Sequence, residues 1–402
     1  MRALATISRV LVGLLFIFSG FVKANDPLGF SYKLEEYYHV FGLDFLVSSA
    51  LFQSMLICVL EIILGFAVLI GTRMKVTSSL ILAMIIFFSL LTGYTAISNW
   101  FFENPEAGTT QWFAGIFSFN PKNIYYMTDC GCFGEFIKLT PWQSFIKDLI
   151  LLVLIIIIFV RRKQTRSLFS RNMQTNIIVS LSVLFTMFTV YCYMYLPVIN
   201  FLYWDDGNNV AELMVCPPDA PKDSAVMTFV YKVGGKETNF SYEDVMAMKV
   251  PEDAEFVKQD KKIIREGCKP KILGFTMYDS DNVDYKDSML QNNDFQLLVV
   301  AYDLEHSRKR GMKAVSELAK EFIEKDGKKV WGLTGTTLEN AEKYRHEYEL
   351  IFDFYNVDPK MGKSMIRSNA GLILMKGPVV IKAWPARSIP SAEKVRKIMA
   401  KN

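Results

Sequence analysis

Charge of one sign is what this sequence lacks. Its 45 Lys and Arg stand against 41 Asp and Glu, a net charge of +4 over 402 residues, which leaves no compositional basis for binding nucleic acid. Cysteine is scarce, six in all, so each one can be weighed singly. No internal repeat is detectable and no apolar segment is interrupted, so transport finds little support. Apolar residues, by contrast, are abundant. At 51% hydrophobic and 14% aromatic the chain is too apolar for an ordinary soluble enzyme of this length, and most of the excess lies in its first half.

Five windows reach the roughly 20 apolar residues needed to cross a hydrocarbon core: 7–22, 45–70, 76–100, 142–160 and 177–197. Arg2 and Arg9 lie at the chain start, Arg73 and Lys75 between the second and third windows, and Arg161, Arg162, Lys163, Arg166 and Arg171 between the fourth and fifth. If every window crosses, these segments share one face, and the Lys/Arg bias makes that face cytoplasmic. The loop 101–140 and everything after Pro197 then lie outside. The first window also reads as a signal peptide, with a basic start, an apolar core and small residues, and the orientation of the remainder is the same either way. Trp100, Trp112, Trp142, Tyr125, Tyr126 and Trp204 fall at the outer ends, where amphipathic rings favour the headgroup layer.

After Pro197 the composition turns polar. A hairpin is expected around Gly234 and Gly235, and from Ile272 the order β-α-β-α-β-α-β-β-α predicts a central sheet covered by helices. The helix within "TTLENAEKYRHEYE" is expected to open on a Thr336/Glu339 capping box.

Two features stand out chemically. Cys130 and Cys132, in "MTDCGCFGEF", are separated by one glycine in the loop assigned to the outside, the oxidising side. A ring closed across one residue is small and strained, hence labile and oxidising, and Gly131 and Gly134 permit the tight backbone. Inert thiols and a soft ion such as Cu(I) are the alternatives. Glu61 lies deep in the second window, where an ionisable side chain costs roughly 2.5–3.5 kcal/mol on insertion scales and must find a partner. Arg9 is the nearest plausible cation; a protonated Glu61 bonded to Ser19 or Thr92 is the other solution. Cys58 and Cys192 read as small core residues. Cys216 and Cys268 read as a structural bridge, although four external cysteines allow three connectivities. His39 could lie near the close pair, and His306 reads as a surface residue.

The segment "RVLVGLLFIFSGFVKANDPLGFSYKLEEY" resembles the opening of the DoxX family. The whole block through "DCGCFGEFIKLTPWQSFIKDL" resembles the related MauE family, with Arg9, Gly13, Ser19, Gly20, Lys23 and the CGCFG run matching in order. The resemblance implies a four-helix membrane bundle over 1–163, similar in architecture to the vitamin K epoxide reductase bundle, that assists disulfide formation or maturation of an exported partner. Residues 164–199 would add a fifth membrane helix, 200–269 a β-rich linker, and 270–402 an extracytoplasmic α/β domain that resembles thioredoxin. That domain departs from thioredoxin twice. Its loop Asp303 to Gly311 has no cysteine, and Ala370 stands where a cis-proline is expected. It therefore reads as a binding version of the fold.

The expected protein is thus a membrane all-α bundle with an α/β domain in a bacterial inner membrane, its partners the lipid bilayer and an exported or periplasmic protein. Cys130 and Cys132 would exchange a disulfide; Glu61 and Arg9 would hold a membrane electron acceptor such as a quinone; no metal ligand set is assigned. The competing expectation is a non-enzymatic envelope scaffold.

Overall fold

The computed structural model describes residues 2–103, 131, 133–134, 136–165, 167–221, 224–251, 253–265 and 267–402. Helices α1 (Arg2–Asn25), α2 (Pro27–Val40), α3 (Ala50–Ile70), α4 (Met74–Glu103), α5 (Pro141–Arg161) and α6 (Arg171–Met194) form the first half. All but α2 are long and apolar enough to span a membrane. Several of their ends have identifiable causes. Pro27 occupies the first turn of α2 while Asp26 caps it by accepting from the Gly29 amide at 2.9 Å. Thr140 and Gln143 form a reciprocal box at the start of α5. Helix α3 stops at Gly71, whose φ of +77° only glycine adopts freely and whose amide reaches back to Ala67 at 3.0 Å.

Helices α1 and α3 approach through glycine. A Cβ on Gly65 would stand 2.8 Å from the Gly13 carbonyl oxygen and 2.9 Å from the Ile17 amide nitrogen. Small residues permit this backbone contact, and close packing drives association where lipid supplies no hydrophobic difference. Gly65→Leu is accordingly expected to force the two helices apart and cost about 1–3 kcal/mol, read as a lower melting temperature in detergent; an unchanged melt would show that the contact is dispensable. Val12, Phe16, Val68, Ile81, Ile85 and Ile155 fill the adjoining core. Helix α6 rests on the outside of the bundle through Phe185 on Phe66 and Phe188 stacked on Phe21 at 5.2 Å.

The second half contains two sheets. Strands β1 (Ser224–Val233), β2 (Lys236–Ser241) and β3 (Glu255–Arg265) form an antiparallel sheet in the order β2-β1-β3, with the hairpin turning at Gly234 and Gly235. The Cys216–Cys268 disulfide closes the chain around this sheet. Strands β4 (Phe295–Val300), β5 (Lys329–Thr334), β6 (Phe354–Asn356), β7 (Gly371–Lys376) and β8 (Val379–Trp384) form a mixed sheet in the order β6-β5-β4-β7-β8. β4, β5 and β6 run parallel; β7 and β8 are antiparallel additions. Side-chain alternation gives the sheet two cores. Leu297, Val299, Leu372 and Leu374 pack under α7 (Lys309–Glu324), α8 (Leu338–Glu347) and α10 (Ala392–Met399). Leu298, Val300, Trp331 and Ile373 pack against Trp204, Phe275 and Met289 on the other face, which the short helix α9 (Pro359–Met365) also covers through Met365. Buried Gln296 is fully used: it donates to Met289 and Gly377 carbonyls and accepts from the Trp331 indole.

Two local expectations are corrected. Trp204 does not anchor a membrane interface; it is buried against Phe275 in the α/β core. Thr336 does not cap α8, whose cap position is Thr337 without a side-chain bond. Thr336 accepts instead from the Leu304 amide at 3.2 Å, because the β4 loop competes for the same hydroxyl. The peptide between Asn369 and Ala370 is cis.

The α/β domain docks on α2. Arg367, 5% exposed, places its Nε 2.8 Å and 3.0 Å from the Asp26 carboxylate oxygens. Tyr32 and Tyr302 share a hydrogen bond of 2.8 Å, and Lys363 sits 3.6 Å from Glu35 and 4.1 Å over the Tyr32 ring. Asn25 bonds Ile199 in both directions. Burial and the neighbouring Tyr302 hold the Tyr32 phenol well above the usual tyrosine range, and burial raises Tyr302 as well, so this hydrogen-bonded pair remains protonated throughout the neutral range.

Candidate functional site

The bundle encloses two opposite-charge pairs in an otherwise apolar setting. Lys23, one turn beyond Ser19 on α1, donates to Ser19 Oγ at 2.9 Å and to Glu61 Oε2 at 2.5 Å. Lys23 and Glu61 are each 3% exposed, and the ammonium also lies 4.8 Å over the Phe88 ring. Across the same space, Asp148 of α5 accepts from Thr92 of α4 at 2.9 Å and pairs with Lys147 at 2.7 Å. Two cations against two carboxylates make the group neutral overall. Both pairs line one cavity of about 40 Å³, roofed by Phe133 and walled by Phe16, Leu34 and Phe88. Taking such charges out of water costs more than a plain apolar core would, so the arrangement marks a site better than it explains stability.

Glu61 is thus central to the site, but its partner is Lys23 and not Arg9. Arg9 lies 14 residues earlier on α1, about 21 Å along the helix axis. There it donates to the Val68 and Leu69 carbonyls at 3.0–3.1 Å, the unsatisfied end of α3. Thr92 donates to Asp148 rather than to Glu61, and Ser19 accepts from Lys23. Asp148 and Lys147 were missed by the sequence reading. Their signal was an acid and a base side by side in the first turns of an apolar window, "SFIKDLI".

Cys130 and Cys132 lie outside the described residues. Their described neighbours are informative. Gly131 and Gly134 have φ of +61° and +52°, and the Gly134 amide returns to the Gly131 carbonyl at 3.2 Å, a tight turn that glycine permits. Gly131 packs so closely on α2 that a Cβ there would meet Lys33 Cγ at 2.8 Å. Phe133 is buried between Phe18 and Lys147. His39 bonds Asp44 at 2.6 Å and His306 bonds Asp303 at 2.9 Å, both exposed. Cys58 and Cys192 are free and buried, as expected of core thiols.

A quinone headgroup does not fit the cavity as it stands. Small-molecule sites run to roughly 300–1,000 Å³, whereas this one has room for a few waters.

With five apolar spans and an appended α/β region, the chain is a multi-pass membrane protein. Residues 1–100 match the family model described as methylamine utilisation protein MauE. That match takes in α1, α2, α3 and the membrane-spanning length of α4, with Lys23 and Glu61; it ends before Cys130, Cys132 and Asp148. Neither a curated protein nor a solved structure matches the chain.

Proposed function

We propose that the chain is a MauE-like accessory protein of a bacterial inner membrane that assists maturation of an exported protein by thiol–disulfide exchange through Cys130 and Cys132, with its α/β domain receiving the partner on the periplasmic side. The observation that carries this reading is the seating of Gly131 and Phe133: one lies against α2, the other over the Lys23–Glu61 and Lys147–Asp148 pairs. Gly131 and Phe133, the chain neighbours of Cys132, thus border the helix on which the α/β domain docks and the charged cavity, respectively.

The exchange balances on its own. One partner thiolate attacks a sulfur of the Cys130–Cys132 disulfide, forming a mixed disulfide and releasing the other cysteine as a thiolate. A second partner thiolate attacks the partner's own sulfur in that mixed disulfide, closing the partner's bond and freeing the second cysteine. Two electrons and two protons pass from the partner dithiol to this chain. No step is assigned to a quinone.

A thioredoxin-like reading of the α/β domain, and the DoxX relationship of the bundle, belong to this proposal. The strand order and the helix following β4 support the former. The loop Asp303 to Gly311 contains no cysteine, which favours binding over redox chemistry in that domain. Run in reverse, the Cys130 thiolate attacks the disulfide of the oxidised partner, and Cys132 is the thiol that would then release it; Cys132→Ser should therefore trap a mixed disulfide between Cys130 and an exported protein, seen as a reductant-sensitive heavier band and mapped by mass spectrometry. If neither single variant traps a partner and alkylation shows both thiols unreactive in growing cells, the chain is a scaffold and the exchange reading is lost.

A further inference from the structure

Between the bundle and the α/β domain runs a groove of about 750 Å³, within the range of small-molecule sites. Its two walls differ in kind. The bundle wall presents Leu28, Val47, Leu51 and Tyr193 near the ends of α3 and α6. Helix α6 finishes there with Tyr191, Tyr193 and, just beyond, Tyr195, side chains that favour headgroup depth.

The domain wall carries the cations, and from the bundle side Glu35 of α2 adds a carboxylate. Arg367 is committed to Asp26, Lys363 to Glu35 and the Tyr32 ring, and Asp303 to His306. Arg308 and Arg387 also line the groove, and among the described residues no carboxylate pairs with either. Arg308 is half-buried; Arg387 is exposed, with its guanidinium 5.8 Å from the Tyr193 ring centre. The helix that follows, α7, has no acid in its first turn.

We propose that this groove binds the phosphate head of an anionic diacyl phospholipid from the adjoining leaflet, Arg308 and Arg387 engaging the phosphate and the chains leaving over Val47 and Leu51. Guanidinium forks match phosphate oxygens in pairs, and two uncommitted ones at headgroup depth attract an anion that the membrane itself supplies. The apolar wall selects the lipid over a free anion, which would gain nothing from Val47 and Leu51.

The test uses the full chain in neutral detergent, with native mass spectrometry of titrated phosphatidylglycerol, phosphatidylcholine, glycerol phosphate and a hexaglutamate peptide. One phosphatidylglycerol is expected to bind preferentially. Arg308→Gln with Arg387→Gln should weaken it roughly thirtyfold. Lys394→Gln with Lys401→Gln, which removes two cations from outside the groove, should leave it unchanged. If the arginine variant does not fold, Val47→Ser with Leu51→Ser takes its place and should weaken the diacyl lipid while sparing glycerol phosphate. Equal binding of phosphatidylcholine, undiminished binding by the variants, or equal affinity for glycerol phosphate or the peptide each overturns the proposal.

Discussion

Lys23→Met is expected to destabilise the bundle by about 3–5 kcal/mol, because it leaves Glu61 buried without its counter-charge. Glu61 is 3% exposed, its Oε2 lies 2.5 Å from Lys23 Nζ, and the surroundings include Ile62, Phe30 and Phe88. Replacing both members, Lys23→Met with Glu61→Leu, should restore most of the loss, since apolar side chains of similar volume remove both desolvation costs together. Thermal melting of the three proteins in one detergent decides the matter. A single variant as stable as wild type would mean that the pair is solvated. The double variant also has a functional use: if it folds and still traps a partner through Cys130, the ion pair takes no part in the exchange.

The second large effect concerns the disulfide. Cys216 and Cys268 are 52 residues apart, and closing a loop of that length stabilises by about 4 kcal/mol in the chain-entropy account. Most of that loop is the small sheet β2-β1-β3, which has little interior of its own: only Val230 among its described side chains is fully buried. Cys216→Ser with Cys268→Ser should therefore release this sheet while the five-stranded sheet, with its two cores, stays folded. Limited proteolysis would show new cleavages between residues 217 and 267. Protection equal to wild type in this region would show that the sheet stands without its staple.

Hydropathy made the five spans legible because lipid demands long apolar runs, and the observed helices extend those windows by a few residues at most ends. The strand and helix order after Ile272 was likewise visible in alternating and helical periodicities. The order of strands within the sheet was not, since local pattern carries no information about which strands pair across a hundred residues. Glu61 was conspicuous as an acid in an apolar window. Its partner was misread because nearness to the window was judged without helix register: the packing that sets Gly13 against Gly65 sets Arg9 against Val68 and Leu69, at the far end of α3. Lys23 was noted only as a matching residue, just past the end of the first apolar window. Helix α2, short and mixed in composition, is not among the expected elements; Asp26 followed by Pro27 was the available sign of its start.

That overlooked helix is gripped from two sides. Gly131 presses on Lys33, while Arg367, Lys363 and Tyr302 hold Asp26, Glu35 and Tyr32. Phe133, two residues from Gly131, lines the charged chamber. Gly131 and the α/β domain therefore share one short helix as their anchor, so a substitution that shifts α2 is expected to disturb both contacts at once.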